Sequence, residues 1–561
     1  MPFVARPPAR TAHTPESLMT AVRLVAHGMA QRQQARAQHG EDYGLSPEDR
    51  ALKAACRYDL RQFANAFFPH LCTTPFSVMH QAFFADDAAR VGRRDLRIAT
   101  AAPRGSAKTT IRGFIKIIHD CVYQVEQFIT IFSHTASLAE DRVKQIRDEL
   151  ELNTRLVEVF GAQVGARWNN SDFLTAAGVR VLAASPQTQL RGVLQRGQRV
   201  TKILLDDFEN PEHVLSALQR QKTSNRFFSD IMKLGGPGTN VEVIGTILHT
   251  DSLLAGLLTN PVFTSTRYQA ITRFPAPSAL PLWQQWRALF LDLSNPAHST
   301  DARAFYEAHE EAMLEGSAVL WPEREPYYDL MVMRLGEGES AFWLEKMNDP
   351  LGDAYRLFRL DAAAYCTVTP QGIVRAGGSL VPWGDITQVA MAYDPTPDKQ
   401  DAVGDYAACV CVAHDRWGYV YVLGVYLDRE PSTQRQIAAI VDMLWRFDCR
   451  VLGIESNNFA SLLIPDIREA IAARAAAEHT PAFVVDLVPI QNVGNKMQRI
   501  KTLEPSWNNG WLQLANGLPG IYLQQFQDFI PVDGAGHDDG PDATEMAVRV
   551  VKHLWQRRDA A

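Results

Sequence analysis

Residues Ala102-Pro103-Arg104-Gly105-Ser106-Ala107-Lys108-Thr109 follow a short β-rich run, LRIAT (96–100), and precede a helical run from Thr110 to Tyr123. A loop closing onto a helix N-terminus turns backbone N–H groups inward. With a lysine and a hydroxyl added, it becomes a cradle for nucleotide phosphates and Mg2+. Lys108 is placed for the β/γ-phosphates of ATP and Thr109 for Mg2+, with Arg104, Gly105, Ser106 and Ala107 completing the loop. Both glycines of the usual GxxxxGK[ST] pattern are alanines here, Ala102 and Ala107. Further on, ILLDDFE (203–209) is an apolar strand ending in two acids. Asp206 stands where such enzymes keep the Mg2+-supporting carboxylate, and either Asp207 or Glu209 could orient the attacking water. Arg191, in SPQTQLRG (185–192), could contact phosphate within its own subunit or a neighbour. Thr246 and His249 follow the strand VEVIGT (241–246), at the edge of the expected nucleotide crevice. His80-Gln81 could reach the adenine.

A second set of carboxylates lies far along the chain. QVAMAYD ends at Asp394, RVLGIE ends at Glu455, and GHDDGPDATEMAVRVV (536–551) brings Asp538, Asp539 and Asp542 to a helix start. Asp405 begins another strand. Phosphodiester cleavage with two metal ions needs three or four carboxylates converging from different strands, holding Mg2+ or Mn2+ ions about 3.5–4 Å apart. Asp394 and Glu455 fit best, because Glu is neither a favoured cap nor a favoured strand residue. Asp539 leads Asp538 and Asp542 for the third position. Lys496, Arg499 and Lys501 gather on a predicted helix within Asn492–Trp511, as a DNA phosphate backbone would require.

The elements that must position these residues fall into two patterns. Strand-like runs at 96–100, 128–133, 179–184, 202–207 and 241–246 alternate with helix-length connections, which predicts a parallel sheet covered by helices. From Gln388, three strands, a helix (432–447) and a fourth strand predict a ribonuclease-H-like α/β domain. The expected organisation is a flexible and helical segment at 1–70, a P-loop NTPase domain of RecA/ASCE type at 71–355, a linker at 356–385 and the nuclease-like domain at 386–561. Ser46-Pro47 fits the cap and first position of a helix in the first segment.

With 56 Lys+Arg against 63 Asp+Glu, the 561-residue chain carries a net charge of −7, which excludes a protein that binds nucleic acid by bulk positive charge. The last third, 361–561, holds 16 basic and 24 acidic residues, and six of those acids belong to or flank the carboxylate set. Seven scattered cysteines form no zinc-ligand spacing and read as buried thiols in a reducing compartment. No long apolar run is present, so a cytosolic chain that does not span a membrane is expected.

Taken together, PRGSAKTT (103–110), LLDDFEN (204–210), GTILHTDSL (245–253), WPER…GESAFWLEKMNDP (321–350), AYDPT…GDYAA (392–408), GIESNN (453–458), KMQRIKTLEP (496–505) and HDDGPDATEMA (537–547) resemble the large terminase subunit of tailed bacteriophages over residues 70–555. That family tolerates a phosphate loop with Arg inside it and without the standard glycines, which Ala102 and Ala107 fit. The resemblance implies ATP-driven movement of double-stranded DNA into the procapsid and metal-dependent cleavage of concatemeric DNA. The partners it implies are a portal protein, a small terminase subunit and further copies in a ring, in the host cytoplasm. In those terms Lys108, Thr109 and Arg104 would bind ATP phosphates, Asp206 Mg2+, and Thr246 would help couple hydrolysis to DNA movement. Asp394, Glu455 and Asp539 would carry the nuclease metals. A helicase-nuclease of DNA repair, or a structural DNA-clamp protein with an inactive P-loop, are the alternatives.

Overall fold

The computed structural model describes residues 42, 44–188, 192–350, 357–396, 406–429, 432–455, 460–479, 483–492, 495–529 and 537–559. The expected flexible N-terminal tip, Arg191 and Asp405 lie outside them. The chain divides into two compact units. The first holds residues up to Asn210 together with Gln221–Thr246 and Asp251–Tyr268; the second holds Pro211–Arg220, Ile247–Thr250 and Gln269 onward. Among the described residues no helix is long and apolar enough to cross a membrane.

The first unit is built on an eight-stranded sheet. Its strands are β1 (Arg97–Ala101), β2 (Phe128–Phe132), β3 (Val164–Trp168), β4 (Asp172–Thr175), β5 (Arg180–Ala184), β6 (Val200–Asp206), β7 (Gly235–Gly245) and β8 (Thr264–Arg267). The order β3-β4-β5-β2-β6-β7-β1-β8 leaves β7 between the loop-bearing β1 and the Asp-ending β6, and every pair from β5 to β8 is parallel. Strand β2, FITIF, is buried at all five positions, as a parallel strand covered on both faces must be. The antiparallel β3–β4 hairpin at the far edge, with its largely exposed β3, did not stand out in the sequence.

The N-terminal helices fold onto this unit. Ser46 caps Pro47–Cys56 as expected, accepting from the Asp49 amide at 3.0 Å. That helix ends before Arg57–Asp59, where Asp59 caps a second one, Leu60–Phe67. Phe63 on that helix lies 4.9 Å from Phe67, 6.0 Å from Tyr123 and 6.2 Å from Phe160, ring centre to ring centre, so the expected boundary at 70 cuts through a shared core.

The second unit opens with helices Leu280–Leu291 and His298–Leu314, packed around Trp283, Trp286, Tyr306, Tyr327 and Tyr328, beside the two-stranded pair β9 (Ile271–Arg273) and β10 (Ala318–Val319). Residues 269–350 therefore belong with the second unit, although a boundary at 355 was expected. The segment expected as a linker, 356–385, contributes three strands, β11 (Ala364–Thr369), β12 (Gly372–Val374) and β13 (Leu380–Pro382). Its Gly377-Gly378 pair sits in the tight turn before β13, where Gly378 takes φ 81°.

These strands join β14 (Ile386–Asp394), β15 (Tyr406–Asp415), β16 (Val420–Arg429), β17 (Val451–Glu455), β18 (Asp486–Ile490) and β19 (Leu512–Ala515) in a nine-stranded sheet. The run β16-β15-β14-β17-β18, antiparallel across β14–β16 and parallel from β14 to β18, is the ribonuclease-H-like order. Alternation assigns the faces. Ala390, Ala392, Ala408 and Val410 meet Ala543, Met546, Ala547 and Val550 of the last helix, Asp539–Asp559. Met391, Tyr393, Cys409 and Cys411 meet helices Thr433–Arg446 and Ala460–Ala477 on the other face. Three small alanines let the last helix approach closely. A side chain at Gly453 would fall 2.5 Å from Ile490 and 3.0 Å from Val550. The fold class is thus α/β in both units, with a parallel-stranded P-loop sheet followed by a ribonuclease-H-like one.

Two buried carboxyls have different fates in this unit. Asp415 is fully enclosed, and it accepts from the Trp417 and Tyr419 amides, Arg375 and the Tyr421 hydroxyl. Glu504 accepts from the Ser340 amide at 3.1 Å, at the start of helix Glu339–Glu345, and burial followed by Glu339 pushes its carboxyl up to about 7 against Lys501. The folded state then holds a proton that the unfolded chain releases near 4.5, so stability falls as pH rises from 4.5 through 7. Glu504→Gln keeps an acceptor for Ser340 without the charge. The variant is expected to be more stable than the parent at pH 8, by roughly 3 kcal/mol at most, and equally stable at pH 4.5, as read from thermal melting. Equal melting curves at both pH values would show that Glu504 does not titrate there.

Candidate active sites

The phosphate loop sits between β1 and a helical run, Thr109–Ile115 continued by Lys116–Val122. Gly105 takes φ 82° and Ala107 φ 59°. Ala107 occupies the position where the usual motif has glycine, and it adopts the left-handed backbone despite its Cβ, a local strain of about 1–2 kcal/mol. The loop braces itself through the Ser106 hydroxyl on the Pro103 carbonyl at 2.6 Å. His80 braces it from outside. Its Nδ1 accepts from the Ser77 amide at 3.1 Å, so Nε2 carries the hydrogen and donates to the Ser106 carbonyl at 2.8 Å. The expected adenine contact thus becomes a loop support for His80, while exposed Gln81 bonds the Phe76 carbonyl.

Thr109 donates through its hydroxyl to Asp206 Oδ1 at 2.7 Å, joining the loop to the end of β6. Gly113, one helical turn on, makes this approach possible, since a Cβ there would lie 3.3 Å from both Asp206 and Thr109. Lys108, 5% exposed, donates to the Thr246 hydroxyl at 3.0 Å, and its Nζ lies 3.7 Å from Asp207 Oδ1. Burial, then the charge of Asp207, raises the Asp206 carboxyl to about 6, against Arg142, Thr109 and Lys108. Arg142, on helix Ala136–Leu152, stands 3.5 Å from Asp206 Oδ2. Arg104 and Gly105 are exposed on the loop.

Asp207 and Glu209, equivalent candidates in the sequence, are treated differently by the fold. Asp207 has φ 44° and a side chain 54% exposed beside Lys108. Glu209 is buried, and its two oxygens accept from the Leu253 and Leu254 amides at 2.7 and 3.0 Å, at the N-terminus of helix Leu253–Leu258. That is a cap for orphan helix donors. Beneath the loop, Arg112 bonds Glu242, Lys116 bonds Asp120 at 2.7 Å, and Lys202 bonds Asp120 at 2.9 Å. These buried pairs tie the loop's helix to β6 and β7, and no sequence pattern marked them.

In the second unit, Asp394 and Glu455 end the adjacent parallel strands β14 and β17 and share a side-chain hydrogen bond. Burial, that bond and the Glu455 charge hold the Asp394 carboxyl well above the usual range, with Lys496 opposing. Asn492 donates to Glu455 Oε1 at 2.8 Å and is itself fixed by Arg549 at 2.6 Å. Neither residue was singled out in the sequence.

The acids heading the last helix surround Lys496. Its Nζ lies 2.7 Å from Asp538, 3.6 Å from Asp539 and 3.7 Å from Asp542. Burial alone would lower the Lys496 ammonium, but Asp538, Asp542 and Asp539 outweigh it and raise it above the ordinary lysine range. Arg499 Nη2 reaches both Asp542 oxygens at 2.9 and 3.1 Å. Asp539 accepts from the Tyr406 amide at 3.3 Å. The charge of Asp542 also helps raise the Asp394 carboxyl, so Asp542 stands beside the favoured Asp539 as a candidate third acid. Lys501 shares helix Lys496–Lys501 with Lys496 and Arg499, but five residues from Lys496 turn it about 140° round the helix axis, and the charge that acts on it is that of Glu504.

No protein-family model matches the chain, and no curated protein matches it. Solved structures do. Several are large terminases. That of a thermophilic bacteriophage covers 85% of this chain and 100% of its own at 10% identity, with a TM-score of 0.44. The human cytomegalovirus terminase nuclease domain, soaked with Mn, covers 30% of this chain and 83% of its own at 14% identity (TM-score 0.22). The nuclease domain of the large terminase subunit gp2 of bacterial virus Sf6 covers 30% and 90% at 10% identity (TM-score 0.21).

Among the described residues no three His, Cys, Asp or Glu side chains are already gathered as a metal cage, since the Lys496 ammonium takes the centre of the acidic group. The donor chemistry nevertheless suits a hard cation. Two carboxyl groups joined by a hydrogen bond, with further acids at the head of the last helix, are oxygen ligands of the kind Mg2+ and Mn2+ prefer. The Thr109 hydroxyl and Asp206 carboxylate form a comparable oxygen pair in the first unit.

Proposed function

We propose that this chain is the large subunit of a tailed-bacteriophage terminase, an ATPase that moves double-stranded DNA into a procapsid and a nuclease that cuts concatemeric DNA. One observation carries the reading. A single chain joins the Thr109–Asp206 contact beneath a phosphate loop to an Asp394–Glu455 pair on a sheet of ribonuclease-H order.

In the first unit Lys108 binds the β/γ-phosphates, inward loop amides from Gly105 to Thr109 hold the remaining oxygens, and Arg104 meets phosphate at the exposed rim. Thr109 and Asp206 would hold Mg2+. Asp207, free of the helix cap that occupies Glu209, orients the attacking water. Thr246 senses the phosphates through Lys108, and Arg191 serves as a phosphate contact. In the second unit Asp394, Glu455 and Asp542 would hold Mg2+ or Mn2+, with Asp538 and Asp539 beside them; when bound, the metal polarises the phosphodiester and activates water. Lys496 and Arg499 bind the DNA backbone, exchanging carboxylates for phosphates. Portal protein, a small terminase subunit and further copies in a ring are the partners of this reading, in the host cytoplasm.

The test is packaging. Purified procapsids, double-stranded DNA, ATP and this protein are expected to yield DNA protected from external nuclease, with Mg2+- or Mn2+-dependent ends. ATP hydrolysis without any protected DNA, portal-bearing procapsids being present, would refute the motor assignment.

A further inference from the structure

The segment GESAFWLEKMNDP is left without a role by the two centres, and its last helix, Glu339–Glu345, runs into a tight loop. Asn348 in that loop is fully buried and takes φ 49°, a left-handed backbone that asparagine tolerates better than most residues. Its Oδ1 accepts from the Ile247 amide at 3.0 Å. Ile247 directly follows Thr246, whose hydroxyl receives the Lys108 ammonium at 3.0 Å. The same loop holds a second strand exit. The Ala270 amide donates to the Lys346 carbonyl at 2.8 Å, and Gln269 Nε2 donates to the Met347 carbonyl at 3.0 Å, just after β8. Lys346 is itself fixed by an ion pair with Glu325. One loop therefore grips the chain where it leaves β7 and where it leaves β8.

We propose that Asn348 is a positioning residue that transmits the state of the nucleotide site, through Thr246 and Ile247, to the helical segment 269–349. This rests on the ATPase reading above. A phosphate that draws Lys108 away from Thr246 removes one of the two hydrogen bonds at the Thr246 hydroxyl, the other being to the Ala102 carbonyl at 3.3 Å. The peptide between Thr246 and Ile247 is a rigid plane, so a change in the Thr246 backbone ψ turns the Ile247 N–H. Leaving that buried donor unpaired costs about 1–3 kcal/mol, so Asn348 follows it.

The experiment is amide hydrogen exchange on the full chain, with and without a non-hydrolysable ATP analogue, alongside ATP turnover with and without DNA. The variant is Asn348→Gly, which keeps the left-handed backbone and removes the side chain that carries the acceptor. In the parent, the analogue is expected to change exchange at 103–110, 247–250 and 346–349 together. In the variant, the change at 103–110 stays and that at 346–349 disappears. DNA-stimulated turnover falls about tenfold while basal turnover stays within about twofold. A parent response at 103–110 without one at 346–349, or a variant that responds like the parent, overturns the inference. No response at 103–110 in the parent would instead overturn the nucleotide-site reading on which it stands.

Discussion

Lys108→Ala is expected to lower ATP turnover at least about a thousandfold, the scale at which a preorganised charge on transferring phosphate acts. The side chain is nearly enclosed, and its ammonium is held between Thr246 and Asp207. A cation held in a low-dielectric pocket acts far more strongly on β/γ-phosphate charge than one in water. The fold should survive the change. Asp207, the carboxylate that loses a neighbour, is more than half exposed, so the pair contributes under about 1 kcal/mol to stability. Companion variants separate the two acids. Asp207→Asn is expected to retain nucleotide binding and lose hydrolysis, whereas Glu209→Gln should cost stability at helix Leu253–Leu258 and spare turnover. The reverse pattern would make Glu209 the water-orienting acid. Unmutated protein with no turnover even in the presence of DNA would favour a clamp with an inactive loop.

Asp394→Asn is expected to abolish DNA cleavage, by about a thousandfold or more, with ATP turnover unchanged within about twofold. Asparagine matches the carboxyl in shape and can still hydrogen-bond Glu455, so the ends of β14 and β17 should stay together. What disappears is a charge that a divalent ion needs. Chelation should mimic the variant, and added Mn2+ should rescue chelated parent but not Asp394→Asn. Asp542→Asn should be more damaging than Asp539→Asn, because the charge of Asp542 acts on Asp394 while Asp539 holds the Tyr406 amide. Cleavage that persists undiminished in Asp394→Asn would remove the nuclease assignment.

Some of this was legible before any coordinates. Continuous apolar runs such as FITIF and KILL mark buried parallel strands because only strands covered on both faces tolerate such sequences. The alternation in β14 and β15 reports two covered faces just as directly. Elements without such a pattern were missed, notably the β3–β4 hairpin, with its exposed β3, and β11–β13, whose glycines imitate a linker.

The sequence by itself determined the residue types at each centre and their order along the chain. A lysine-threonine pair after one strand and an aspartate pair after another already imply phosphate and metal, since few other uses fit those side chains at strand ends. The tertiary structure alone decided which donors and charges each of the near-equivalent acids meets. Glu209 is two residues from Asp207, yet it caps a helix that begins at Leu253. Asp542 is three residues from Asp539, yet it accepts from the Arg499 guanidinium while Asp539 accepts from the Tyr406 amide. The reason is that a carboxylate's role is set by the donors and charges within a few ångströms of it. Those come from segments tens to hundreds of residues away, which spacing in the chain does not record.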